Sequence, residues 1–354
     1  MALDFSRLSI LLIEDSPFMR SLMVGVMRAM GIERLHIAED GQDALDMIKV
    51  LAGDVEKTGF SPIDMIVTDL EMPRMDGLML LRWLRRHEQS PDRFIPVVMA
   101  DVADGKLVAK ARDAGVTEFV VKPFSVDGLA ARMANVIEFP RQYIYNPTYF
   151  GPDRRRHESS EIEGEKRKLT DSDVNIIYSG KTPEANKEGV KIWIFRQQNR
   201  LLEKMGGKSA TEGGSIGPDM LKAAREQVVE MEEDYADWVG NSISQLEQAH
   251  NRIVENNADA PRQLDKIREV SRELRGQGGM FGYPLMTHFG RSLEEVAEAS
   301  GRATEPLIDL VSAHIEGIKV VMREHIKGDG GQIGAELLKG LEEAKKKHAT
   351  GKAP

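Results

Sequence analysis

The first 140 residues predict an open α/β sheet of parallel strands, and the last third predicts a set of packed helices. Three observations carry this. Five short runs in the first third are continuously apolar, as strands buried on both faces are, with helical stretches between them. Several of those runs end abruptly on a charged residue, where open sheets deliver side chains to a site. Beyond residue 218, apolar residues recur at spacings of three and four, the period of an amphipathic helix.

Taken in order, Leu8–Ile13 is the first strand and stops at Glu14-Asp15. Ser16-Pro17 reads as the cap and first residue of a helix through Met30, with Gly31 as its stop. Leu35–Ala38 is the second strand and Gly41–Leu51 the second helix, followed by a polar connection from Ala52 to Pro62. Met65–Thr68 is the third strand and delivers Asp69, after which Pro73 and Asp76-Gly77 mark a turn. Leu78–His87 is helical, Pro96–Ala100 is the fourth strand, and Gly105–Ala114 is a helix capped by Gly115. Phe119–Val121 is the fifth strand, leading into Lys122-Pro123, and a last helix runs from about Ser125 to Glu138. Five strands alternating with five helices argue a doubly wound sheet with right-handed crossovers.

Composition narrows the function classes. The chain has 354 residues, 41% hydrophobic and 30% charged, the balance of folded domains joined by polar linkers. Its length allows two or three domains. A formal charge of -9 leaves no basic footprint for nucleic acid, and no DNA-binding domain is evident. The absence of cysteine excludes a disulfide framework and thiolate metal sites, and it suits the reducing cytosol. Met1–Phe5 lacks the basic and apolar regions of a signal peptide, and no apolar run approaches the ~18 residues of a membrane span. The expectation is a cytoplasmic protein with no membrane partner. The 18 methionines, among them Met19, Met23, Met27 and Met30, are read as core filling.

In the flavodoxin-like strand order 2-1-3-4-5, strands one and three are neighbours. That order brings Glu14, Asp15 and Asp69 together at one end of the sheet, and the fifth strand adds Lys122. Three converging carboxylates repel one another unless a cation is present, and an all-oxygen cluster partly open to water suits Mg²⁺. Lys122 supplies a compact charge for a phosphoryl oxygen. The chemistry that needs this set is phosphoryl transfer to a carboxylate, giving an aspartyl phosphate.

With Glu14-Asp15, Asp69, Met72-Pro73, Asp76-Gly77 and Lys122-Pro123 in this order, residues 6–140 resemble the CheY-like receiver domain of two-component response regulators. The resemblance implies a phosphoacceptor at Asp69, charged by a histidine kinase or phosphotransfer protein. It implies Mg²⁺ held by Asp15, Asp69 and the carbonyl of Glu71, with Glu14 acting through water, and a cis Lys122–Pro123 peptide. It implies a signalling protein, not an enzyme beyond its own phosphorylation and dephosphorylation, acting on a downstream protein that the sequence does not name. A homodimer is left open.

One position departs from the family. Receivers usually carry Ser or Thr at the end of strand four, whose hydroxyl follows the phosphoryl group. Counting forward from Pro96 puts Asp101 there, and counting back from Lys122 puts Ala100 there. Neither an ionised carboxylate nor a methyl donates that hydrogen bond, and a fourth carboxylate would weaken the phosphoryl state by repulsion. Phe119 stands where the family often has a switching aromatic, and it reads equally well as a core side chain. A pseudo-receiver scaffold that is never phosphorylated is the alternative these departures motivate.

The middle of the chain predicts less. Phe139–Tyr149 is aromatic and should lie against the receiver surface. Gly151–His157 is a turn with the basic run Arg154–Arg156, read as a solvated linker against a weaker anion-binding reading. Glu158–Asp173 is read as mobile. Val174–Tyr178 and Val190–Phe195 predict a small hairpin that cannot stand alone. Gly206–Gly217 is a flexible linker. The stretch 141–217 is therefore expected as a linker with a small hairpin.

From Pro218 the chain predicts an antiparallel four-helix bundle, residues 218–338. Leu221, Val228, Met231, Tyr235, Trp238, Ile243, Leu246 and Ile253 form the first apolar stripe. A break at Asn256–Pro261 is followed by helices at about 262–275, 285–300 and 305–326. Lys339–Pro354 is expected to be a mobile, lysine-rich tail. Ser271–Gly282, with Leu293-Glu294 downstream, resembles the signature of a histidine phosphotransfer (HPt) domain over residues 225–327. The acceptor position holds Arg272, and a guanidinium that stays protonated is no phosphoryl nucleophile. This implies a module that keeps the shape without the chemistry. His250 and His288 lie elsewhere and read as ordinary histidines.

Overall fold

The computed structural model describes residues 4–58, 62–86, 91–102, 105–154, 174–177, 192–196, 198–206, 217–298 and 303–350. The chain divides into two compact units, residues 1–121 with 126–225, and residues 226–354 with 122–125.

The first unit opens with β1 (Ser9–Ile13), α1 (Pro17–Ala29), β2 (Arg34–Ala38), α2 (Gly41–Thr58) and β3 (Met65–Asp69). It continues with α3 (Gly77–Arg86), β4 (Val97–Val102), α4 (Gly105–Ala114), β5 (Glu118–Lys122) and α5 (Val126–Glu138). The five strands form one sheet in the order β2-β1-β3-β4-β5. β1 pairs in parallel with both β2 and β3, and β3 in parallel with β4. All five residues of β1 are buried, which is why the run is apolar without alternation. Ser16 caps α1 through the amide of Met19, Pro17 follows as its first residue, and Gly31 ends the turn beyond it at φ +88°. Two expected limits move. The second helix runs on through the polar stretch to Thr58, so Gly53 is carried inside a helix and not at its end. The fourth strand extends to Val102, so Asp101 is a strand residue.

A second sheet follows: β6 (Tyr143–Asn146), β7 (Tyr149–Pro152), β8 (Val174–Ile177) and β9 (Ile192–Phe195), in the order β7-β6-β9-β8. The expected hairpin of the last two strands is corrected here. β8 pairs with β9 in parallel, and β9 is antiparallel to β6. A two-stranded ribbon is marginal alone, and β9 gains a partner on each side. Tyr143, Trp193 and Phe195 are buried with Phe94, and Phe150 packs against them. The Tyr143 hydroxyl donates to the carbonyl of Phe94 at 2.8 Å. Arg93, almost wholly buried, has its guanidinium 4.6–5.3 Å from the rings of Phe94, Phe150 and Phe195. Arg85 is buried beside it and donates to the carbonyls of Gly115, Arg93 and Ile95. Burial holds its guanidinium below its ordinary pKa. The short helix α6 (Arg200–Lys204) brings the chain back: Asn199 caps it and donates to the carbonyl of Ile137, and Lys204 pairs with Asp64.

Of the basic run, Arg154 is described. It stacks over the Tyr149 ring at 4.0 Å and pairs with Asp113 of α4 at 3.1 Å. Arg155, Arg156 and the stretches read as mobile or flexible, 158–173 and 207–216, lie outside the described residues.

The remaining helices are α7 (Pro218–Glu230), α8 (Glu232–Glu255), α9 (Ala260–Gln277), α10 (Pro284–Glu298), α11 (Glu305–Arg323) and α12 (Gly331–Thr350). The expected break is present as a 3-10 turn at Asn257–Asp259. Within the second unit α8 packs on α9 and α11, α9 on α10, and α10 on α11. Residues 339–350, expected to fray, are instead the second half of α12, which packs on α11 and buries Leu341, and residues 351–354 lie outside the described residues. Among the described residues no helix is long and apolar enough to cross a membrane.

Candidate functional site

Each element at the carboxyl end of the first sheet delivers one part of the site. Glu14 and Asp15 leave β1, and Asp69 is the last residue of β3. Because β1 and β3 are paired neighbours, the carboxylates converge: one ligand oxygen from each of Glu14, Asp15 and Asp69 lies within 4.8 Å of the others. Glu14 is buried, and Asp15 and Asp69 are partly exposed. At that separation two full negative charges repel by roughly 3 kcal/mol even at an effective dielectric of about 20. Such an arrangement would be stabilised by a cation, and three carboxylate donors, two of them partly open to water, fit Mg²⁺.

The loop after β1 is pinned from α1. Arg20 donates to the carbonyls of Glu14 at 2.8 Å and Asp15 at 3.3 Å, and it pairs with Glu39. The amide of Glu14 bonds the carbonyl of Ala38 on β2. One oxygen of Asp69 accepts the amide of Leu70 at 2.7 Å. The loop from Leu70 to Asp76 closes through Gly77, whose amide donates to the carbonyl of Leu70 at 2.9 Å. A β-carbon at Gly77 would stand 2.3 Å from the carbonyl oxygen of Asp69, so only glycine fits beside the acidic residue. Glu71 lies in this loop, partly exposed.

Lys122 is the last residue of β5 and is buried, and its peptide bond to Pro123 is cis. On β4, Ala100 is the residue opposite Asp69 in the register. Asp101 follows it and is buried, so neither of the two positions where a hydroxyl is expected carries one. Phe119 is half-buried on β5 and packs against the core formed by Ile66, Val97 and Met99 among others. Sequence reasoning missed the residues that hold the loops, Arg20, Asp40 and Arg74. An arginine one turn into a helix, or in a turn, carries no signal of what its guanidinium will reach.

In the second unit Arg272 lies on α9, half-buried. Of the small residues after it, Gly278 serves helix packing, as does Gly290 on the facing helix. A β-carbon at Gly278 would meet Met286 at 2.7 Å, and one at Gly290 of α10 would meet the backbone of Arg275 and Ser271 at 2.7 and 2.8 Å. His250 contacts the carbonyl of Ile308 at 3.2 Å, and His288 is exposed on α10.

A parallel sheet of this order with carboxylates at the mouths of two adjacent strands defines an α/β domain whose candidate site lies at the carboxyl ends of its strands. A family model for the response regulator receiver domain matches residues 10–134. The chemotaxis protein CheY-3 of Vibrio cholerae is 32% identical over 132 residues, 37% of this chain and 92% of that protein. The chemotaxis protein CheY of Pseudomonas aeruginosa is 32% identical over 132 residues and is covered to 97%. A solved signal receiver domain of a histidine kinase from Syntrophus aciditrophicus shares 27% identity, with 35% of this chain and 84% of that one covered and a TM-score of 0.30. The chain belongs, through residues 10–134, to the response regulator receiver family of two-component signalling.

Proposed function

We propose that the chain is a response regulator of a phosphorelay that accepts a phosphoryl group on Asp69. The observation that carries this is the convergence of Glu14, Asp15 and Asp69 to within 4.8 Å at the strand ends. In the proposed reaction an Asp69 carboxylate oxygen forms the O–P bond as the N–P bond of a donor phosphohistidine breaks, and the electron pair returns to the donor imidazole. Mg²⁺, held by Asp15, Asp69 and the Glu71 carbonyl with Glu14 behind a water, would neutralise charge on the transferring group. Lys122 supplies the fixed positive charge for a phosphoryl oxygen. The protein turns over nothing but its own phosphorylation and hydrolysis.

The donor is read as a histidine kinase or phosphotransfer protein, and the output as protein–protein interaction. Helices α8 to α11 are read as an HPt-like four-helix bundle whose acceptor position, Arg272, is chemically inert. The buried Asp101 favours the second reading, a scaffold that is never phosphorylated.

Phosphate-affinity electrophoresis with a small phosphodonor and Mg²⁺ separates the two. The proposal expects a retarded band from wild type and none from Asp69→Asn. A wild type that never shifts, or an Asp69→Asn band that does, rejects it in favour of the scaffold.

A further inference from the structure

We infer that Arg74 and Asp40 form a clasp that positions the β3–α3 loop, and with it the Glu71 carbonyl, for the divalent cation. The inference rests on the site reading above and extends it to residues that touch neither metal nor phosphate.

Three observations carry it. Arg74 stands at φ +60°, a left-handed conformation that an arginine adopts only where its surroundings hold it there. Its guanidinium is what fixes it: Nε donates to Asp40, and Nη2 donates to Asp43 at 3.1 Å. Asp40 is itself buried and immobilised, because its other oxygen accepts the amides of Gln42 at 2.8 Å and Asp43 at 3.0 Å at the start of α2. The next residue completes the brace. The amide of Gly41 donates to the carbonyl of Met75 at 3.0 Å, and a β-carbon on Gly41 would stand 2.6 Å from that oxygen.

The loop is thus closed at its base by Leu70 and Gly77 and tied at its tip to α2. Its one proposed contribution to the cation is a neutral carbonyl. Mg²⁺ demands near-ideal octahedral placement and gives a displaced neutral ligand little electrostatic compensation. Fixing the loop before the ion arrives removes an ordering cost from binding. Groups that hold a ligand in this way typically change metal affinity by about 10–100-fold when lost.

The test uses the full chain and two readouts. Hydrogen exchange of the amides in residues 70–76 is followed without metal, and the Kd for Mg²⁺ is measured by calorimetry. Arg74→Asn keeps a residue that tolerates the left-handed conformation but cannot reach Asp40, and Arg74→Lys keeps a charge that can. The clasp predicts faster loop exchange and a Kd raised about tenfold in Arg74→Asn, with most of both recovered in Arg74→Lys. Unchanged exchange in β1 and β3 shows that the fold is intact. A Kd within about twofold of wild type, with or without a change in exchange, overturns the positioning role. Unchanged loop exchange overturns the clasp. A wild type that binds no Mg²⁺ would instead remove the site reading, and the positioning role with it, while the metal-free exchange still reports whether the clasp exists.

Discussion

The acidic site of the first unit and the helix core of the second hold their polar side chains in opposite ways. The first gathers like charges: Glu14, Asp15 and Asp69 sit within 4.8 Å of one another at the ends of adjacent strands. In the second, His314 and Arg275 each have a partner. His314, wholly buried, has Nδ1 donating to the Leu310 carbonyl at 2.7 Å, which leaves Nε2 to accept from the Ser292 hydroxyl at 2.8 Å. Arg275 of α9 pairs with Glu294 of α10 at 2.7 Å. Mutual repulsion of the first kind persists for a ligand that arrives from outside, whereas satisfied pairs of the second kind specify packing. A histidine is thereby a worse guide to chemistry in this chain than an aspartate at the end of a strand.

The contrast is broken most severely by truncation. Ending the chain at residue 140 removes Arg141, which pairs with buried Glu118 at 2.7 Å, and uncovers Phe94 and Arg93. Burying Tyr143, Trp193 and Phe195 contributes on the order of 1.5–3 kcal/mol each. Residues 1–140 are therefore expected to melt well below residues 1–206 or to aggregate, as scanning calorimetry would show. Equal melting temperatures would mean that the second sheet is an ornament.

In the second unit acid acts through His314. Burial lowers the pKa of His314 from 6.5 to about 4, so the unfolded chain binds the proton more tightly than the folded one. Its contribution is complete above about pH 6.5 and is lost as pH falls to 4, by up to about 3 kcal/mol. The protection of α11 amides, taken relative to the intrinsic exchange rate at each pH, should fall over that window in wild type and stay flat in His314→Asn, once the variant's own lower baseline is subtracted. A flat wild-type profile contradicts the buried neutral imidazole.

The smallest effect belongs to Arg154. Its stacking on Tyr149 and its ion pair with Asp113 are partly exposed. Arg154→Ala is expected to cost no more than about 1 kcal/mol in urea unfolding. A change in affinity for a dinucleotide or other anion in that variant would revive the anion-binding reading of the basic run.

Much of this was legible in the residues. The strand order, the acid cluster and the cis Lys122–Pro123 bond followed from apolar runs that end on charge and from the family resemblance those runs carry. The second sheet was not, because its strands are four residues long and β9 finds its antiparallel partner β6 far back along the chain. Tyr143 and Phe195 look like surface aromatics until the register places them opposite each other. The end of strand four was ambiguous for a different reason. A loop one residue short shifts the count, and only pairing shows that Ala100 faces Asp69 while Asp101 follows it, buried. The clasp at Arg74 had no local signal, since its meaning lies in an aspartate that caps a different helix.

The most direct measurement is reductive trapping. After exposure to a small phosphodonor with Mg²⁺, borohydride converts an aspartyl phosphate to homoserine, and peptide mass spectrometry locates it. Conversion at Asp69, abolished when Mg²⁺ is chelated, is the expected result. Conversion at another residue, or at none while Mg²⁺ is bound, would contradict the account of the acidic site as a phosphoryl acceptor.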